Sequence, residues 1–388
     1  MKNKWRAMAC ILCAAVIGTS AASCSSKNDT DQQKKTPVKT AEKEVNEYQS
    51  KLDVIRPQAY SNVEGLNLEK GTYLSVIGKG DGTSYWKEVK AGVLQAADDI
   101  NEMLGYKGED KIKVNYSGPS ETDSVDEQIN ILDEELARYP EALGIAPIDA
   151  TACTVQFDLA GENDIPIVTF DSGSDYQDIS SKCSTDNTAA AQTAAVKLSD
   201  MLEEKGEVAV IVHDAKSTTG KVRESAFTEE IKNNHPGIKI AQVYHMDELE
   251  TMAKQIAQEK STEEQAVEPE SITQEDVIKY ILEKNPDISG IYATNVDSSQ
   301  LAVSVCEELE KDDLPIVAFD GGEKQLEALE NGNIEGLIIQ NPYGMGYATV
   351  IAAARSVLGL GNEANVDTGY TWVTKDNMDN KAIKQMLY

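Results

Sequence analysis

The side chains best placed for chemistry gather in "SVIGKGDGTSYW", Ser75 to Trp86. A strand-like run, Tyr73 to Ile77, opens into a loop with Gly78, Gly80 and Gly82, and Tyr85 and Trp86 follow side by side. The chain has only three tryptophans and four phenylalanines, so two large rings at one loop mouth call for a use. The glycines form GxGxG, not the GxGxxG of a dinucleotide fold, and Tyr116-Ser117-Gly118 lacks the acid that would hold a nucleotide ribose. There is no phosphate-loop lysine motif and no GxSxG elbow. The three histidines, His213, His235 and His245, show neither metal-ligand spacing nor a triad pattern, so neither metal nor cofactor is expected. Two matched acids remain, Asp171 and Asp320. Such a pair suits a glycosidase, a clamp accepting ligand hydroxyls, or the N-caps of two helices.

The elements that position these residues are written twice. "DIPIVTFDSG", Asp164 to Gly173, recurs as "DLPIVAFDGG", Asp313 to Gly322, and "LGIAPIDATA" has its counterpart in "SGIYATNVDS". Further strand-like runs, "KIKVNYSG", "EVAVIVH" and "IKIAQVYH", flank them in the same order. Between strands the period is helical: Val125, Ile129, Leu132 and Leu136 share one face, as do Val277, Ile278, Ile281 and Leu282. Continuous apolar strands separated by helices predict two similar α/β lobes, each a parallel sheet covered on both faces. Ligands bind such sheets at the carboxyl ends of strands. The candidates there are Gly78 to Trp86, Pro147 to Asp149 and Asp171-Ser172, then His213 to Thr219, Asn295 to Ser298 and Asp320-Gly321. Crossovers between lobes are predicted at Ser184 to Asn187, Gln340 to Pro342 and Ala364 to Gly369, which together make a hinge. "QEKSTEEQAVEPESITQ", Gln258 to Gln274, has no partner in the first half and reads as an acidic surface insertion.

The 388 residues suffice for two domains beyond an export segment. Lys2, Lys4 and Arg6 precede the short apolar run "AMACILCAAVIG" and the small residues "SAASC", the anatomy of a signal peptide over residues 1–23. Cys24 then stands where a bacterial lipobox places its lipidated cysteine, although Ala21 replaces the usual leucine. Residues 24–71 begin polar and without aromatics and read as a flexible tether. Losing three positive charges and no acids takes the net charge from −30 to −33, which disfavours nucleic acid and anionic membrane surfaces. Cys153, Cys183 and Cys306 allow one disulfide at most and read as small core residues.

Residues 72 to 388 resemble the ribose-type sugar-binding proteins of bacterial ABC importers, within the periplasmic binding protein-like I fold. The resemblance is carried by "GTSYWKEVKAGVLQAA", "IAPIDATA", "IPIVTFDSG", "STDNTAAAQ", "TTGKVRESAF", "ATN", "IVAFDGG" and "QNPYGMG", eight stretches in family order. It implies that Tyr85 and Trp86 stack on the apolar face of a sugar, and that Asp171 and Asp320, one per lobe, accept from its hydroxyls. It likewise implies that Arg223, Asn295 and Gln340 contact ligand, with Ser172 beside Asp171. Two departures bear on which sugar: Thr83 stands where ribose binders have asparagine, and Ser172 where many have arginine. Lys79 and His213 lie at suitable strand ends to compensate. Ordinary readings stand beside these: a hydrophobic staple for Tyr85 and Trp86, a salt bridge for Arg223, a turn support for Asn295. At adjacent helical positions the two rings cannot share one face, which favours Trp86 for the cleft.

The expected domains are residues 72–185 with 342–364 as lobe 1, and 186–341 with 365–388 as lobe 2. The expected function is capture of a sugar or polyol between the lobes and delivery to an ABC permease, by a lipid-anchored monomer outside the cytoplasm, without catalysis. A sensory module reporting ligand to a membrane receptor, and a carbohydrate-active enzyme, are the alternatives.

Overall fold

The computed structural model describes residues 48–262 and 266–388. The signal segment, Cys24 and the first part of the tether lie outside the described residues.

Among the described residues twelve strands form two sheets. The first contains β1 (Tyr73–Ile77), β2 (Lys113–Ser117), β3 (Ala142–Ile145), β4 (Ile167–Phe170) and β5 (Ile179–Ser184). The second contains β6 (Gly206–Val212), β7 (Ile238–His245), β8 (Ile288–Ala293), β9 (Ile316–Phe319) and β10 (Gly336–Gln340). The last two, β11 (Asn365–Asp367) and β12 (Tyr370–Val373), add one edge strand to each sheet. The order is β11-β5-β4-β3-β1-β2 in one sheet and β12-β10-β9-β8-β6-β7 in the other. Each lobe thus repeats one path, stepping outward once and then across the sheet in the opposite direction. The duplicated sequences become β4 and β9, every residue of which is buried, as parallel strands covered on both faces require. One edge departs from the expected parallel pattern: β12 runs antiparallel to β10. It enters directly from β11 through Thr368 and Gly369, too short a link for a parallel return. Gly369 adopts φ +82°, which glycine reaches without strain.

The chain crosses between lobes after β5, after β10, and between β11 and β12. Because β11 pairs with β5, residues 365–367 belong to the first sheet and not to lobe 2 as expected. The tether expected to run to residue 71 is also shorter. Leu52, Ile55, Tyr60, Leu66 and Leu68 are all buried in the first lobe's core. Their spacing follows neither helical nor strand period, so each fills its own gap. Arg56 and Asp367 exchange backbone hydrogen bonds of 2.7 and 2.9 Å, and Tyr48 stacks on Tyr343 at 4.4 Å.

The helix that carries Tyr85 and Trp86, Ser84–Leu104, is capped by Thr83, whose hydroxyl accepts from the Trp86 amide, and ends at Gly105 in the left-handed region. Trp86, Val89, Val93 and Ile100 are buried on its inner side. The helix packs so closely on Pro342–Val357 that a Cβ at Gly92 would lie 2.0 Å from the Tyr343 carbonyl oxygen, and one at Gly346 2.0 Å from that of Val89. Cys153, Cys183 and Cys306 are free and buried, and burial pushes their thiols up to about 11, 12 and 11. The acidic stretch at 258–274 joins the helices Leu249–Lys260 and Gln274–Lys284.

Candidate functional site

The strand ends of both lobes face a cavity of about 390 Å³, within the ~300–1,000 Å³ of small-ligand pockets. Tyr85, Trp86 and Asp171 line it from the first lobe, and Arg223, Asn295, Asp320 and Gln340 from the second. The lobes meet beside it: the Gly173 amide donates to Thr218 Oγ1 at 2.6 Å and the Ala150 amide to the Lys216 carbonyl at 3.5 Å. The lobes are therefore closed on one another.

Asp171 and Asp320 end equivalent strands, both with positive φ (57° and 77°). Neither is a helix N-cap; the helix after Asp320 is capped by Gly322. The left-handed turn directs each carboxylate off its strand end, and their environments differ. Asp171 accepts from the Tyr85 hydroxyl at 2.6 Å and lies 3.3 Å from the Lys79 ammonium, both side chains being 8% exposed. Burial alone would raise its pKa, but Lys79, the Tyr85 hydroxyl and Arg223 together hold it below the ordinary carboxylate range. Asp320 has no ion-pair partner among the described residues. Gln340 Nε2 donates to it at 2.5 Å and the Tyr388 hydroxyl at 3.4 Å. Burial prevails there over Arg223 and Gln340, and its pKa is raised.

The donors are held just as firmly. Arg223 is buried, giving Nε to Asn187 Oδ1 and Nη1 to the Thr294 carbonyl, each at 2.7 Å. Its guanidinium lies 4.1 Å over the Phe319 ring, and no carboxylate pairs with it among the described residues. Asn295 Oδ1 caps the helix Val296–Glu308 through the Ser298 amide, so the donor left for a ligand is its Nδ2. Gln340 spends Oε1 on the Thr185 hydroxyl at 2.9 Å. Trp86 is 5% exposed and meets Phe170 edge-on at 6.4 Å. It is core residue and cavity wall at once, while Tyr85 is the more exposed of the two rings.

Ser172 is the exception among the expected site residues. It is fully buried, its hydroxyl donates to the Pro147 carbonyl, and it does not line the cavity. With no charged head to reach outward, the short side chain is satisfied by the nearest carbonyl. His213 lines the cavity with Nδ1 2.7 Å from Thr294 Oγ1. Burial lowers its pKa against the pull of Asp214, so it stays neutral near pH 7. Lys79, weighed from sequence only as a substitute donor, turns out to be the cation paired with Asp171. Its signal was its place two residues beyond β1. Tyr388 gave no signal, because no strand end lies near it in sequence.

Two lobes of the same topology, joined by three crossings and closed over a polar cavity with an aromatic wall, define a hinged ligand-binding protein. A family profile for the periplasmic binding protein domain matches residues 74–361. The chain belongs to that family, which comprises solute-binding proteins rather than enzymes. Among its relatives, a xylitol-binding protein of Mycolicibacterium smegmatis is 24% identical over 317 residues, covering 80% of this chain and 84% of its own. A carbohydrate transporter solute binding protein from Agrobacterium radiobacter, solved with D-arabinose, is 28% identical with a TM-score of 0.67, covering 82% of this chain and 99% of its own. An arabinose binding protein from Geobacillus stearothermophilus is 27% identical with a TM-score of 0.62, covering 79% and 98%. The fold is the periplasmic binding protein-like I fold, as expected.

Proposed function

We propose that the chain is a lipid-anchored solute-binding protein that works outside the cytoplasm, captures a sugar or polyol between its lobes and delivers it to an ABC permease. One observation carries the reading. A cavity closed by both lobes combines aromatic surface, Tyr85 and Trp86, with an acceptor from each lobe, Asp171 and Asp320, and donors on Lys79, Arg223 and Gln340. A sugar has apolar C–H faces and an equator of hydroxyls, so it satisfies both kinds of surface at once. The relatives named above bind xylitol and arabinose, which fits this chemistry. Lobes that hold their polar groups in place before the ligand arrives favour selective closure.

A thermal-shift screen of sugars and polyols, including xylitol and D-arabinose, tests the reading. A bound sugar raises the melting temperature with its concentration, and a flat panel refutes it. The anchor is tested separately: Cys24→Ser should release the protein from membranes, and persistent attachment removes lipidation.

A further inference from the structure

Tyr388 lies more than sixty residues from Asp320 in sequence and about three hundred from Tyr85, yet touches both. Its ring meets the Tyr85 ring edge-on at 5.7 Å and 73°, and its hydroxyl lies 3.4 Å from Asp320 Oδ1. The segment leading to it packs on the second lobe. Met378, Ile383 and Leu387 pack on the second lobe's core, and Met386 is buried. Tyr85 belongs to the first lobe, where its hydroxyl donates to Asp171 and also approaches Met345 Sδ at 3.3 Å. Tyr388 is thus carried by the second lobe and contacts the stacking residue of the first. It joins the two halves at the site, on the same carboxylate oxygen that accepts from Gln340 at the second crossover.

We propose that Tyr388 is a ligand-positioning residue, holding Tyr85 of one lobe and Asp320 of the other in place when the cleft is closed. The proposal rests on the sugar-binding reading above and extends it to a residue outside the cavity lining. Opening the lobes separates the two rings, so their contact belongs to the closed state and opposes ligand escape. An edge-to-face aromatic pair contributes enough to change a rate by about two- to tenfold.

The test compares Tyr388→Ala and Tyr388→Phe with the parent, using xylitol and D-arabinose as probes in stopped-flow dissociation. Tyr388→Ala should release a bound probe about two- to tenfold faster. Tyr388→Phe, which keeps the ring and loses only the hydroxyl on Asp320, should restore most of the difference. Unchanged dissociation in Tyr388→Ala overturns the proposal. So does an equal loss in both variants that tracks a lowered melting temperature of the ligand-free protein. If neither probe binds the parent, the sugar reading is what has failed, and small-angle scattering of ligand-free protein decides this inference alone. Tyr388→Ala should then show a larger radius of gyration than the parent, and an identical profile overturns it.

Discussion

Lys79→Met removes the only cation among the described residues within ion-pair distance of Asp171 and leaves the carboxylate buried. At 3.3 Å and an effective dielectric constant of about 20, the pair interacts by roughly 5 kcal/mol before desolvation is counted. Removing one partner of a buried pair costs about 3–5 kcal/mol. The Tyr85 hydroxyl still donates to Asp171 at 2.6 Å, so the expected loss is about 2–4 kcal/mol. With an unfolding entropy of ~2.1 cal/mol/K per residue over roughly 340 residues, this lowers the melting temperature by about 3–6 °C. The pH dependence fixes the sign. In the parent, Asp171 has a folded pKa below its unfolded value, so its contribution is full above the unfolded pKa and is lost as pH falls through the folded one. The difference between parent and variant should therefore be complete near neutrality and close in strong acid. The assay is calorimetric melting of the parent, Lys79→Met, Asp171→Asn and the double variant. A coupling energy below about 0.5 kcal/mol, the scatter of independent sites, refutes the pairing.

Trp86→Ala should weaken sugar binding by at least ~1 kcal/mol in isothermal titration, and it should also lower stability by about 3–5 kcal/mol because the ring is buried. Trp86→Phe retains part of the core and separates the two effects; unchanged affinity in both variants removes Trp86 from the site. Sugar affinity should fall as pH descends through the raised pKa of Asp320, before the lowered pKa of Asp171 is reached. Asp320→Asn should flatten that first limb, and a parent profile without it refutes the role of the Asp320 carboxylate. Gly92→Ala places a Cβ where the Tyr343 carbonyl stands and should cost on the order of 1–3 kcal/mol in urea unfolding. An unchanged midpoint would show that the two helices separate freely.

The lobes were legible because β4 and β9 are buried on both faces, and a strand of that kind writes itself as a continuous apolar run with turn residues at its end. The candidate cavity lining was legible as positions, since strand ends in such sheets are fixed once the strands are. The pairings were not. Whether Asp171 takes its donor from Lys79 or from the residue beside it depends on which side chain is long enough to reach. Ser172 is short and turns to Pro147, and that choice is made by rotamers. The segment 48–71 was misread because its five buried apolar residues enter the first lobe one at a time, so composition dominates any window that covers them. Tyr388 reaches the site through tertiary packing alone.

The hinge and the site share residues, and this gives closure a route to the ligand. Gln340 ends β10 at the second crossover, and one amide serves both places: Nε2 on Asp320 and Oε1 on Thr185 of the first crossover. Asn341 follows it. Its Nδ2 donates to the Thr368 carbonyl of the third crossover at 2.8 Å and to the Lys51 carbonyl at 2.7 Å. Its Oδ1 caps the helix Pro342–Val357 through the Gly344 amide. Two consecutive side chains thus tie all three crossovers, one cavity-lining carboxylate and the segment that leads in from the tether. Among the described residues Asp320 has no cation paired with it, so a group that donates to it changes the demand on Gln340 most directly. The change then meets the crossovers within two hydrogen bonds, through buried groups that are costly to leave unpaired.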